Sequence, residues 1–304
     1  MWNVYINGFK TYIILEKSYS EHTQEAYLRD IGRLVDFLEE SHPDLGPKDI
    51  EYKHINKFVE SFRGEDSSFN VASIKRLVSG IRAFYKYLII EKVVDHDPTE
   101  LLDLPKLDEK LPTVLSYDEF LILLDHIDNS TYKGAWTNLA FEILYGGGLR
   151  VSELINLRIS NIFYEEEVIK VVGKGDKERW VPINQTALKA LKTFIENTRV
   201  EPKPGMQDFV FLNQRGGQLS RIAVYQAVKE VAQRSNIDKN IHPHTFRHSF
   251  ATELISSGAD IMVVRELMGH EDISSTQIYT HLDTRHLRET ILLYHPLYNN
   301  QDKV

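Results

Sequence analysis

A chain of 304 residues with 42% apolar residues, a net charge of -8 and no cysteine holds enough apolar material for two ordinary cores. It excludes disulfides, thiolate metal sites and a cysteine nucleophile. No apolar run approaches the roughly 20 residues of a bilayer span, and the opening MWNVYINGFK lacks the marks of a secretory signal, so a cytoplasmic location and no membrane partner are expected.

The acidic balance runs through both halves, with 15 basic against 20 acidic side chains in residues 1–110 and 21 against 24 in residues 111–304. A phosphate-binding surface in such a chain has to be a local stripe. From Ser20, the stretch SEHTQEAYLRDIGRLVDFLEE sets Tyr27, Ile31, Leu34, Val35 and Leu38 on one helical face, with Ser20 or Thr23 as its cap. A second helix, SIKRLVSGIRAFYKYLIIEK, repeats Ile74, Leu77, Val78, Ile81, Tyr85 and Leu88 at helical spacing. Its other side aligns Lys75, Arg82 and Lys86, with Arg76 beside them, as either a solvated face or a phosphate-contacting stripe. Residues 98–114 carry three prolines and no periodicity and read as a linker. They divide a helical domain, residues 1–97, from a second domain, residues 115–304.

In the second domain, SYDEFLILLDHI reads as a helix capped by Ser116, and LAFEILYGGGLRVSELINLRISNI as helices interrupted at Gly146, Gly147 and Gly148. In EEEVIKVVGKGDKERWVPI, β-branched runs flank a glycine-bearing tip, which is a hairpin signature. The expected fold is therefore mainly α with a small β-sheet in the second domain. The stretch SRIAVYQAVKEVAQRS puts Gln226, Lys229 and Gln233 on one helix face with Ser220 and Arg221 at its start. That face suits either solvent or a DNA major groove.

The stretch HPHTFRHSF gathers three histidines and an arginine at a helix start, with Pro243 in the first turn and Phe246, Phe250 and Leu254 as the buried stripe. His244 and Arg247, three apart, share another face. His244 and His248 have zinc-helix spacing, but Thr245 stands where a metalloprotease has its glutamate, so no metal is expected. Further on, Asp260 caps a helix that Gly269 ends; His270 follows, and then a helix starting at Ser274 or Ser275 carries Tyr279. Leu292, Leu293, Tyr294, Leu297 and Tyr298 form an apolar cluster too large to leave exposed.

Four stretches, GLRVSELINL, VGKGDKERWVPI, HPHTFRHSFATELISSGADIMVVRELMGH and SSTQIYTHL, resemble in that order the motif set of the tyrosine site-specific recombinases. The amino-terminal helices, the linker ending in LPTVLS and the chain length resemble the Xer branch of that family. The resemblance implies a two-domain DNA clamp: a helical, SAM-like core-binding domain and an α+β catalytic domain. Arg150 and Arg247 then clamp the scissile phosphate, since a planar, permanently charged fork binds phosphate and steadies its transition state without a metal or other cofactor. Lys174 matches the general acid that protonates the departing 5′ oxygen, with Lys177 as its competitor. His244 and His270 match the histidines that contact the phosphate, and Tyr279 the nucleophile that forms a 3′-phosphotyrosyl intermediate. His248 is left with a structural role.

The same resemblance favours DNA contact for Lys75, Arg82 and Lys86, and leaves Arg221 and Lys229 as candidates. It implies a double-stranded recombination site as substrate and a homo- or hetero-tetramer, formed with a second recombinase on synapsed sites. A DNA translocase is a candidate regulator. The tail is expected on a neighbouring subunit, with its own domain as the alternative. Chromosome dimer resolution at cell division is the expected task. Its rivals are a mobile-element integrase or invertase, a non-catalytic architectural DNA-binding protein, a type IB topoisomerase and a metallohydrolase.

Overall fold

The computed structural model describes residues 2–17, 19–62, 69–102, 113–173, 178–269 and 281–299, with backbone alone for 281–286 and 299. The chain forms two compact units, Met1–Lys110 and Leu111–Val304. The division falls inside the proline-bearing stretch, but Thr99 and Leu102 are buried in the first unit, so that unit extends past residue 97.

The first unit is helical: α1 (Trp2–Leu15), α2 (Glu21–Ser41), α3 (Tyr52–Glu60) and α4 (Val71–Ile90). Ser20 caps α2 by accepting from the Thr23 amide, and Asn70 caps α4 by accepting from Ser73. The apolar stripes of α2 and α4 meet as their spacing requires, with Ile31, Leu34, Leu38, Leu77, Val78 and Ile81 wholly buried. Phe9 of α1 closes the core edge-on to Phe84, ring centroids 5.4 Å apart. One charged side chain lies inside this apolar contact: Asp30 of α2 is fully buried. It is gripped bidentately by Arg76 of α4 at 2.5 and 2.9 Å and approached by Arg33 at 3.4 Å.

The second unit opens with α5 (Tyr117–Asp125), where Ser116 and Glu119 form a reciprocal capping box. It continues through α6 (Tyr132–Gly147) and α7 (Val151–Ile155) to a three-stranded antiparallel sheet in the order β1 (Ile162–Phe163), β2 (Val168–Val172), β3 (Glu178–Pro182). Val168 pairs with Pro182 and Val172 with Glu178, which is the hairpin expected around the glycine-bearing tip. Then come α8 (Gln185–Thr193), α9 (Arg221–Arg234), α10 (Pro243–Ser256), α11 (Ile261–Met268), α12 (His281–Tyr294) and α13 (Pro296–Asn299). The α10 stripe of Phe246, Phe250 and Leu254 is wholly buried, and α10 packs on α6. The Ser249 hydroxyl donates to the Thr245 carbonyl at 2.7 Å and accepts from the Leu115 amide at 2.8 Å, tying the domain's entry to that helix.

The tail, expected on a neighbouring subunit, is seated in this chain on its own domain. Leu287, Ile291 and Tyr298 join Phe250, Leu254 and Leu267 in one apolar cluster, and the Tyr298 hydroxyl lies 3.2 Å from both the Gly146 and Pro182 carbonyl oxygens. His295 is buried among Tyr145, Phe250 and Tyr298. Leu292 and Leu293 remain exposed. Among the described residues, no helix is long and apolar enough to cross a membrane.

Candidate active site

The site begins where α6 ends. Gly148 adopts φ +59°, and a Cβ there would stand 2.4 Å from the Phe250 ring, so the left-handed turn needs glycine both for its backbone and for its space. The turn delivers Arg150 to the amino end of α7. Its backbone N–H donates to Glu153 Oε2 at 2.7 Å and its Nη1 to Glu153 Oε1 at 2.9 Å. Glu153 is almost completely buried, its side chain 1% exposed.

Two further arginines converge on that carboxylate from distant elements. Arg179 of β3 closes its fork on Glu153 at 2.6 and 2.8 Å, and Arg247 of α10 stands 3.9 Å from Oε2. The same three guanidinium groups cap the carboxyl end of α11, taking its last carbonyls in succession. Arg179 Nε donates to Leu267 O at 3.0 Å, Arg247 Nη2 to Met268 O, and Arg150 Nη2 to Gly269 O at 3.2 Å. Arg247 also donates through Nη1 to Gly148 O at 2.6 Å. Orphan carbonyls at a helix end carry partial negative charge, so cations belong there. Gly269, at φ +61°, ends α11 in the left-handed conformation directly beside the Arg179 side chain.

Three cations facing one carboxylate leave the cluster with a formal charge of +2. Burial alone would raise the Glu153 carboxyl, but the hydrogen bond and charge of Arg179, followed by the backbone and side-chain hydrogen bonds of Arg150, hold it below the ordinary carboxylate range. Arg247 is pushed down to about 9, first by burial and then by repulsion from Arg150 and Arg179, with Glu153 opposing. It stays protonated at neutral pH. The exposures differ usefully: Arg179 and Arg247 are 6% and 7% exposed, whereas Arg150 is 33% exposed and forms the rim. The cluster is suited to attract a phosphate and to balance negative charge that develops on it, because the surrounding low dielectric strengthens every interaction.

Of the residues read from the sequence, Arg150 and Arg247 are brought together. His244 is exposed in the first turn of α10, its ring 6.2 Å from that of His242. Although three residues from His244, Arg247 turns inward. His248 is half-buried. Lys174, its competitor Lys177, His270, Tyr279 and the expected helix start at Ser274 or Ser275 lie outside the described residues. Among the described residues no group of histidine, aspartate and glutamate stands together as metal ligands.

Sequence reasoning missed Glu153 and Arg179, although both left a signal. Glu153 stands three residues after Arg150, and strand alternation in ERWVPI puts Arg179 on the same side as Val181 and Ile183, a charge on an apolar face.

Of the candidate DNA contacts, Lys86 is exposed and Lys75 half-buried on α4, but Arg82 donates to the Thr99 carbonyl at 3.2 Å and so also braces the end of its own unit. Arg221 and Lys229 are exposed on α9, where Lys229 lies 5.5 Å from the Tyr225 ring centroid. Ile222 and Tyr225 are exposed on the same helix.

Comparison with known proteins places these features in a family. Residues 113–286 match the Phage integrase family, and residues 6–92 match the domain described as Phage integrase, N-terminal SAM-like domain. The chain is 39% identical to a protein named Tyrosine recombinase XerD from Chlorobaculum tepidum, over 97% of each chain. It is likewise 39% identical to Tyrosine recombinase XerD from Staphylococcus aureus, over 96% of this chain and 98% of the relative. In fold it resembles the Tn1549 transposon integrase in complex with a circular intermediate DNA, with a TM-score of 0.69 at 20% identity over 94% and 98% of the two chains. It also resembles the XerH site-specific recombinase bound to its difH substrate, with a TM-score of 0.65 at 23% identity over 82% and 74%.

Proposed function

The chain belongs to the phage integrase family, as a tyrosine recombinase of the Xer branch that cuts and rejoins DNA, and from that premise we propose that it resolves chromosome dimers at a specific site through the residues assigned below. The observation that carries the assignment is the convergence of Arg150 and Arg247 on one buried carboxylate although 97 positions separate them. In this reading Arg150, at the rim, and Arg247, behind it, hold the non-bridging oxygens of the scissile phosphate. Tyr279 attacks phosphorus, forming the phosphotyrosyl bond as the 5′ oxygen departs, and Lys174 gives that oxygen its proton. His244 and His270 hydrogen-bond the phosphate. A tyrosine is poorly nucleophilic at neutral pH, its ordinary pKa being about 10, so the +2 cluster favours the phenolate as it attacks.

The amino-terminal unit, Met1–Lys110, is the core-binding, DNA-contacting half of the enzyme. Lys75, Arg82 and Lys86 contact phosphates from α4, while Arg221 and Lys229 do so from α9. The working assembly is a tetramer on two duplexes, built with a second recombinase, regulated by a DNA translocase and located in the cytoplasm. No metal or other cofactor takes part.

Covalent capture in cells tests this reading: the protein is purified with attached DNA under denaturing conditions, and the DNA is sequenced beside a Tyr279→Phe control. One dominant Tyr279-dependent site near the replication terminus is expected. Several sites at element ends or invertible promoters would mean an integrase or invertase, and no adduct would leave an architectural DNA-binding role. In purified protein, Arg150→Ala and Arg247→Ala should each slow cleavage on the order of 100- to 1000-fold, as loss of one transition-state donor does. Rates within about twofold of the parent would remove the clamp assignment.

A further inference from the structure

We propose that Arg179 is a positioning residue for DNA cleavage, occupying Glu153 so that Arg150 and Arg247 stay available to the phosphate. The inference rests on the cleavage reading above and deepens it. Arg179 is buried, its fork closed on both Glu153 oxygens and its Nε donated to Leu267 O, so it acts through other groups.

The carboxylate is the reason such a residue is needed. Glu153 holds Arg150 by its amide and by its Nη1, which fixes the rim guanidinium in place, but an unneutralised carboxylate at that position would also compete with the phosphate for it. The charged groups facing Glu153 are Arg150, ahead of it on the same turn, Arg179 from β3 and Arg247 from α10. With Arg179 in place, one positive charge answers the carboxylate and two remain. Without it, Arg150 and Arg247 must answer the carboxylate themselves, and the attraction available to phosphate falls by one charge. The Leu267 contact adds a second function. Arg179 fixes the last turn of α11, whose following two carbonyls are the ones Arg247 and Arg150 hold, so one side chain ties the hairpin strand to both partners of the clamp.

A merely structural ion pair behaves differently. Removing one partner of a buried pair costs stability whatever else the pair does, and a loss of fold would lower DNA binding and cleavage together. The test uses a nicked duplex of the captured sequence and measures equilibrium binding and single-turnover adduct formation by the full chain. Arg179→Met should bind within about threefold of the parent and cleave on the order of 100-fold more slowly, the cost of a small misplacement of reacting groups. Adding Glu153→Gln to Arg179→Met should recover about tenfold of that loss, because the competing charge is gone. Cleavage by Arg179→Met within about twofold of the parent, or a loss that Glu153→Gln does not relieve, would overturn the inference. If Arg179→Met does not fold, Arg179→Lys takes its place, since an ammonium answers the carboxylate but lacks the fork. Slower cleavage at unchanged binding by that variant supports the inference, and binding and cleavage lost in parallel overturn it. A parent protein that forms no Tyr279-dependent adduct would instead end the cleavage reading on which the inference stands.

Discussion

Among the described residues, each unit buries one carboxylate and surrounds it with arginines, and the two arrangements differ in where the cations point. In the amino-terminal unit, Asp30 is gripped by Arg76 and approached by Arg33, whose side chains remain 44% and 39% exposed. In the catalytic unit, Glu153 faces Arg179 and Arg247, which are sealed, and Arg150, which alone reaches the rim. The first carboxylate fixes two helices together and leaves its cations largely to water, where charges are screened and weak. The second keeps three cations in a low-dielectric pocket in which a surplus of +2 acts strongly on an arriving anion. The same residue types thus make a clasp in one place and a candidate site in the other, according to how much water reaches the guanidinium groups.

Removal of the carboxylates should separate the two arrangements most strongly. Glu153→Ala should destabilise the catalytic unit by about 3–5 kcal/mol, because it strands buried cations, and thermal or denaturant unfolding would read the loss. A cost below about 1 kcal/mol would show that water reaches this cluster as freely as a surface pair.

His295 supplies the contrasting case of a buried ionisable group with no counter-charge among the described residues. Burial pushes it down to about 3, against a hydrogen bond with the Tyr145 backbone that raises it. Its folded pKa therefore lies below the ordinary value of 6.5. Between those two values the unfolded chain binds a proton that the folded one refuses, so stability is full above about pH 6.5 and declines as the pH falls toward 3. At pH 5 the loss is about 2 kcal/mol. Hydrogen exchange in α12 and α13 should rise on going from pH 7 to pH 5 after correction for intrinsic rates, and His295→Phe should abolish the rise. A pH-independent tail would show that His295 gains a partner when it charges.

Asp30→Ala should cost less, about 1–2 kcal/mol, since the exposed heads of Arg76 and Arg33 can turn to water. A loss as large as that of Glu153→Ala would erase the distinction between clasp and site. The smallest effect is expected for Lys75→Ala, which should weaken DNA binding with little sequence bias and lower the salt slope by about 1. An unchanged slope would return Lys75 to a solvated face.

Much of the helical framework is written locally. The stripes of Ile31, Leu34 and Leu38 and of Ile74, Leu77 and Ile81 lie at the spacing that turns one helix face inward. Ser20, Ser116, Ser220 and Asp260 cap the helices they precede. The pairing of β2 with β3 was legible from their β-branched runs, whereas α1, α3 and α8 gave no pattern strong enough to name.

The two candidate arginines, the helices that carry them and the family to which the motif order points are legible in short stretches, because periodicity, caps and glycine turns act over a few residues. Tertiary structure decided which charges meet. Glu153 and Arg179 lie 26 residues apart, and Arg150 and Gly269 lie 119 apart; nothing in either local stretch specifies its partner. It also decided that Arg82 braces Thr99 and that the apolar tail seats on its own domain, since a side chain's partner depends on which surfaces packing brings within hydrogen-bonding reach.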